Sequence, residues 1–242
     1  MQYMNSFTDK FIQDFIVDQR WKFITKGLGV TLEVTALALI FGVLIGLVVG
    51  IVRCAHDQQS ANERRGVRGA VLNILNLICK VYVTVIRGTP VLVQLLIMFF
   101  IILVSSTSKV FVAVVTFSVN SGAYVAEIFR GGIMSIDKGQ MEAGRSLGLT
   151  YVQTMIYTII PQAMKACLPA LANEMIALLK ETSICGYIGL NELTRGGDII
   201  RGTTFDALLP LIAVALIYLS MVMVLSYLIS ILERRLRKSD NR

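Results

Sequence analysis

Two carboxylates, Glu174 and Glu181, stand seven positions apart in a stretch that is otherwise mostly apolar. Two turns of α-helix take about 7.2 residues, so a helix here sets both acids on nearly one face, with Leu178 between them. Thr182 and Ser183 follow directly, and together these residues make an acidic, hydroxyl-lined wall. Charges at membrane depth are costly, so they face a cavity or one another. The chemistry offered is recognition of a cation, either a ligand's ammonium group or a cationic side chain. The alternative is structural, with Glu174 and Glu181 pairing with Arg87 or Lys180 to hold helices together. Asn173 and Lys180 form the adjacent face. Glu33 and Glu127 lie nearer the ends of apolar runs and are read as structural.

No catalytic set accompanies these acids. The chain contains no Gly-Lys dipeptide, so it cannot build the glycine-rich loop that cradles nucleotide phosphates. The sequence has neither a nucleophile with a base nor a metal-binding cluster, and the chain is expected not to be an enzyme and to carry no cofactor of its own. Uphill movement of a solute would need a partner that binds ATP and Mg. Cys54, Cys79, Cys167 and Cys185 form no CxxC pair and fall mainly in apolar segments, so they read as small hydrophobes. His56, the only histidine, reads as a solvated loop residue.

Of 242 residues, 55% are hydrophobic and 16% charged, and the mean hydropathy is +0.69. Soluble domains average about 45–50% apolar and about 25% charged, so the chain reads as an all-α, multi-pass membrane protein. The net charge of +7 could suggest nucleic acid. Its basic residues instead cluster between and after apolar runs, which is a topology signal.

In chain order, 1–21 reads as an amphipathic helix too polar to span, lying along the interface, with Trp21 as anchor. The first span is 27–52. Gly42, Gly46 and Gly50 recur at every fourth position along it, a stripe that permits close helix packing. A basic loop over 53–69, with Arg53, Arg64, Arg65 and Arg68, is cytoplasmic by the positive-inside rule. An apolar segment over 70–104 is broken at 88–90 by glycine and proline. The third span is 110–129, and 130–148 returns to the cytoplasm. The fourth segment, 150–180, is kinked by Pro161 and Pro169. A polar connection with glycine turns covers 181–206. The fifth span, 207–232, ends on basic residues. Five spans place the N-terminus outside, and no secretory signal is read in the first twenty residues. The transmembrane core is 22–235 within a single domain, 1–242.

Four motifs then carry a family resemblance. Glu142, Ala143, Gly148 and Pro161 fit the EAA loop of membrane subunits of bacterial ABC importers. Gly144 stands where a second alanine is usual, and Thr158 and Ile160 replace an Ile and a Leu. Arg87-Gly88-Thr89-Pro90 with Gln94 resembles a signature of the polar-amino-acid branch. So do the runs 123–133 and 171–183, with Glu192 to Arg195 after them. The resemblance covers roughly 22–235. It implies an importer type I permease fold in the bacterial inner membrane. It also implies that the loop over 137–161 forms a coupling helix docked on an ATP-binding subunit. The implied partners are two ATP-binding cassette subunits, a second permease copy or a sister permease, and an extracytoplasmic amino-acid-binding protein. Membrane lipid and an amino-acid substrate complete the set, with no nucleic acid. Some members bind substrate at the position of Glu174 and Glu181. An ATP-independent carrier or channel is the alternative reading, and it would need no coupling helix.

Overall fold

The computed structural model describes residues 7–58 and 66–240, and among them every regular element is helical. Helices α1 (Phe7–Phe11), α2 (Trp21–Gln58), α3 (Val67–Gly88), α4 (Val91–Ile97) and α5 (Lys109–Met134) are followed by α6 (Lys138–Ser146) and α7 (Tyr151–Thr154). Then come α8 (Ile160–Glu181), α9 (Leu193–Thr204) and α10 (Leu208–Asp240). Five helical segments among the described residues are long and apolar enough to cross a membrane: Trp21–Gln58, Gly69–Gly88, Lys109–Met134, Tyr151–Ile188 and Leu208–Arg235. Large apolar side chains such as Ile74, Leu77 and Ile78 on α3 are each 60% exposed. An apolar surface of that kind belongs in lipid rather than in water.

The described residues cluster into two compact units. The first comprises Met1–Ala38, Val91–Phe117 and Ile176–Leu228. Its main core gathers Val34, Leu95, Phe117, Leu178 and Ile188, and a second cluster joins Ile24, Leu193, Ile200 and Val214. Helix α9 occupies part of the stretch expected to be a polar connection. Its buried face is Leu193, Gly196, Gly197 and Ile200, so glycines occupy two of the four positions that an apolar pattern would mark. A Cβ on Gly196 would stand 2.6 Å from the Phe23 carbonyl oxygen, and one on Gly197 would stand 2.5 Å from Val214. Its cap is Glu192, which is 1% exposed. The Glu192 carboxylate accepts from the Thr194 and Arg195 amides at 2.7 Å each and from the Tyr218 hydroxyl at 3.3 Å. Burial pushes this carboxyl up from its ordinary range, against the opposing pull of those donors.

The N-terminal expectation of one amphipathic helix is corrected within 7–20. Helix α1 passes into a wide turn at Ile12–Ile16 and a tight one at Val17–Gln19, where Asp18 has φ 54°. The Arg20 guanidinium fixes this corner by donating to the Gln13 carbonyl at 2.7 Å and to Asp18 at 2.8 Å. Residues 1–6, and Arg64 and Arg65 of the expected basic loop, lie outside the described residues.

The second unit comprises Leu39–Pro90, Ser118–Met175 and Ile229–Arg242. Here the glycine stripe of α2 lies on α5. A Cβ on Gly46 would stand 2.5 Å from Val125, and one on Gly50 would stand 3.2 Å from Phe129. Val125, Phe129 and Cys167 form the adjoining core. The break at 88–90 is present, with Thr89 extended between α3 and α4. A wide turn at Met155–Ile159 directly precedes Pro161 within the continuous segment Tyr151–Ile188, and such a turn takes up the backbone hydrogen bond that proline cannot donate. The helix runs on through Pro169.

Candidate functional site

The residues singled out from the sequence divide between the two units. In the first unit, Gln94 is half-buried on α4, and Leu178 is 1% exposed within the main core. Leu178 therefore acts as packing rather than as open wall. The Thr182 hydroxyl is buried and donates to the Leu179 carbonyl at 2.7 Å. Glu181 and Ser183 are half-buried.

In the second unit, Glu174 is half-buried on α8 and accepts a hydrogen bond from Ser121 Oγ of α5 at 2.8 Å. Arg87 ends α3 and lies over Tyr124, which is one turn along α5 from Ser121. The Arg87 guanidinium is 5.0 Å from the centroid of the Tyr124 ring, a geometry that attracts a cation to the ring face. Arg87 Nη1 also stands 4.0 Å from Glu127 Oε2. Carboxylate, hydroxyl and guanidinium are thus brought together, and such a set can hold both ends of a zwitterion. Ser121 was missed by sequence reasoning, and Tyr124 was seen only as part of the 123–133 run. The signal available was their place on α5 one turn apart, six and three residues before Glu127.

Glu127 collects more charge than its sequence position suggested. It pairs with Arg53 of α2, and Arg130 Nη2 is 3.0 Å from its Oε2. Arg130 Nη1 in turn is 3.5 Å from Asp57 Oδ2. His56 lies at the end of α2, with Nδ1 3.5 Å from Asp57 Oδ1. It is therefore part of a helix end rather than of a loop. Glu33 is exposed on α2.

Within the loop over 137–161, the stretch Lys138–Ser146 folds as α6. Asp137 supplies its cap by accepting from the Gly139 amide at 2.6 Å. It closes on Gly148, whose φ of +82° suits a residue without Cβ. The Gly148 amide reaches Arg145 O at 3.0 Å and the Leu149 amide reaches Gly144 O at 3.1 Å, the paired closing bonds of a left-handed helix end. Glu142 and Ala143 are exposed, whereas Gly144 is buried. A Cβ on Gly144 would meet Thr154 Cγ2 at 2.5 Å and Oγ1 at 2.7 Å. The side chain of Thr154 thus fills the space that an alanine methyl would take. Thr150 and Gln153 form a reciprocal cap that opens α7, and Tyr151 hydrogen-bonds Gln58 at the end of α2. A cavity of about 750 Å³ opens here, lined among others by Asp57, Met141, Glu142 and Arg145.

Comparison with known proteins identifies the class. Residues 69–238 match the family of the binding-protein-dependent transport system inner membrane component. The glutamine transport system permease protein GlnP of Escherichia coli (strain K12) is 38% identical over 218 residues, which is 88% of this chain and 93% of that one. The arginine transport system permease protein ArtQ of Bacillus subtilis (strain 168) is 35% identical over 221 residues, covering 90% and 94%. The crystal structure of an amino acid ABC transporter with histidines superposes with a TM-score of 0.79 at 40% identity, covering 90% of this chain and 96% of that one. With five apolar helices and a family match over most of its length, the chain belongs to the binding-protein-dependent transport system inner membrane components, as a permease subunit of an ABC importer.

Proposed function

We propose that this chain forms one half of the pathway by which an ATP-driven importer moves amino acids, those with basic or polar side chains above all, into a bacterial cell. The observation that carries this reading is Glu174 bonded to Ser121, one turn of α5 from the Tyr124 ring over which Arg87 lies. Glu174 receives the α-ammonium group of the substrate, and Arg87 receives the α-carboxylate. Glu181, two helical turns further along α8, adds a second carboxylate, which favours a cationic side chain. The names of the relatives, which are glutamine and arginine permeases, support an amino-acid substrate.

The second half is another copy of this chain or a sister permease. An extracytoplasmic binding protein delivers the amino acid. Of two ATP-binding subunits, which hold ATP and Mg, one docks against α6 of this chain through the exposed Glu142 and Ala143. Helix α6 suits this role because it is short. An isolated helix of its length is not stable alone, and here Asp137, Gly148 and Thr154 hold it in shape. Closure of the ATP-binding subunits then pulls α6 and alternates access to the site.

The test is uptake by Glu174→Gln and Glu181→Gln importers in proteoliposomes, with the binding protein held constant. Losing one charge-assisted contact costs about 1.5–3 kcal/mol, or roughly tenfold or more in apparent affinity for labelled arginine. Wild-type rates and affinities in both variants would remove the carboxylates from recognition.

A further inference from the structure

Glu127 stands where charges from three helices converge. It pairs with Arg53 of α2, with Arg130 one turn further along α5 at 3.0 Å, and more loosely with Arg87 of α3 at 4.0 Å. Arg130 continues to Asp57 at 3.5 Å. Three guanidinium groups against two carboxylates leave one positive charge in excess. The side chains of Glu127 and Arg53 are only 19% and 16% exposed, so their interactions are stronger than in water. Removing Glu127 would leave like charges facing one another.

The network has two ends. One is Arg87, over the Tyr124 ring and one turn of α5 from the Ser121 that bonds Glu174. The other is Asp57, which lines the cavity shared with Met141, Glu142 and Arg145 of α6. The Arg87 contact is the longest of those to Glu127 and Arg87 is the most exposed of the three arginines, at 42%. An arriving carboxylate therefore draws Arg87 away first. Arg53 and Arg130 then hold Glu127 alone, and the balance at Asp57 changes beside α6.

We infer that Glu127 is a positioning residue for transport: it holds Arg87 over Tyr124, one turn of α5 from the Ser121–Glu174 pair, and, through Arg130 and Asp57, couples occupancy there to the cavity against α6. The inference rests on the proposed function, in which Arg87 and Glu174 meet substrate and α6 meets the ATP-binding subunit.

The test uses the complete importer in proteoliposomes, with labelled L-arginine delivered by its binding protein. Two quantities are read: uptake, and the ratio of ATP hydrolysis with loaded binding protein to that without it. Glu127→Gln should lower the ratio by about 5- to 150-fold, the usual span of a coupling between sites, by raising unstimulated hydrolysis. Glu127→Asp, which keeps the carboxylate, should restore part of the ratio. A merely structural residue would lower the yield of the complex and leave the ratio unchanged. A wild-type ratio in Glu127→Gln overturns the inference. If Glu127→Gln does not assemble, a double-mutant cycle between Arg87→Lys and Asp57→Asn decides. Non-additive effects on the ratio support the coupling, and additive effects overturn it. Failure of the wild-type importer to take up arginine on ATP addition counts against the proposed function itself, which keeps the two failures distinct.

Discussion

Gly144→Ala should damage this protein although alanine is usual at that place in related loops. The added Cβ would stand 2.5 Å from Thr154 Cγ2, 2.7 Å from Oγ1 and 3.1 Å from Cβ. Rotating the Thr154 side chain exchanges one close atom for another. It also breaks the bond from its hydroxyl to the Thr150 carbonyl at 3.1 Å. Thr154 is 0% exposed, so α6 must move instead. Overpacking of this kind costs about 1–3 kcal/mol, and the better helix propensity of alanine returns about 0.5–1 kcal/mol. A net loss of about 1–2 kcal/mol is expected. Thr154→Ala alone gives up one hydrogen bond, about 0.5–1.5 kcal/mol. In the double variant both atoms closer than 3 Å are gone, leaving only the 3.1 Å contact. Thermal unfolding of the detergent-solubilised importer measures all three variants, and stimulated ATP hydrolysis tells whether α6 still transmits. The double variant should be more stable and better coupled than Gly144→Ala by about 1 kcal/mol beyond additivity. Strictly additive losses, or a Gly144→Ala protein that melts and transports like the wild type, would refute the packing account of this loop.

Two further outcomes follow from the same geometry. Gly46→Ala meets Val125 at 2.5 Å and the Ala126 amide nitrogen at 2.9 Å, whereas Gly29→Ala on the same helix has nothing within 4 Å. The first should therefore lower the melting temperature of the complex and the second raise it slightly, and equal shifts would contradict the packing of α2 on α5. Asp14 is 0% exposed; burial raises its carboxyl above the ordinary range, Thr204 opposes this, and repulsion from Asp206 adds to it. A raised folded-state value means that its stabilisation is full below the ordinary carboxylate range, about pH 4, and is lost as pH rises through the raised value. Asp14→Asn should accordingly slow hydrogen exchange over 7–20 at neutral pH and flatten its acid dependence, and faster exchange at neutral pH would overturn the assignment.

The helix breaks written by backbone chemistry were legible in the sequence. Gly88 and Pro90 end one helix and begin another, and Gly148 stops α6, because glycine and proline act through their own dihedral limits. The spans were legible from composition, although α2 runs further than its apolar stretch at both ends, through Trp21 and Gln58. Helix α9 was hidden because Gly196 and Gly197 fill the middle of its buried face, leaving only Leu193 and Ile200 to mark the period, and because its cap is a buried glutamate. The N-terminal break at Asp18 depends on where the Arg20 guanidinium reaches, which spacing does not encode. At the candidate site, Glu174 was marked by its cost in an apolar run. Its partner Ser121 lies on another helix, and pairing across helices is set by packing rather than by local pattern. The same holds for Arg53 and Glu127. Leu178 looked like part of a ligand wall only because its helix face was visible and its neighbours Val34, Leu95 and Phe117 were not.

This permease should import amino acids only when ATP is hydrolysed by subunits docked on α6. The measurement is uptake of labelled arginine and glutamine into proteoliposomes containing the permease, with the binding protein outside and ATP inside, with and without the ATP-binding subunits. Accumulation against a gradient is expected only when both the ATP-binding subunits and ATP are present, with loss of accumulation in Glu142→Lys on the exposed face of α6. Equal uptake without ATP, or uptake unaffected by Glu142→Lys, would contradict this expectation.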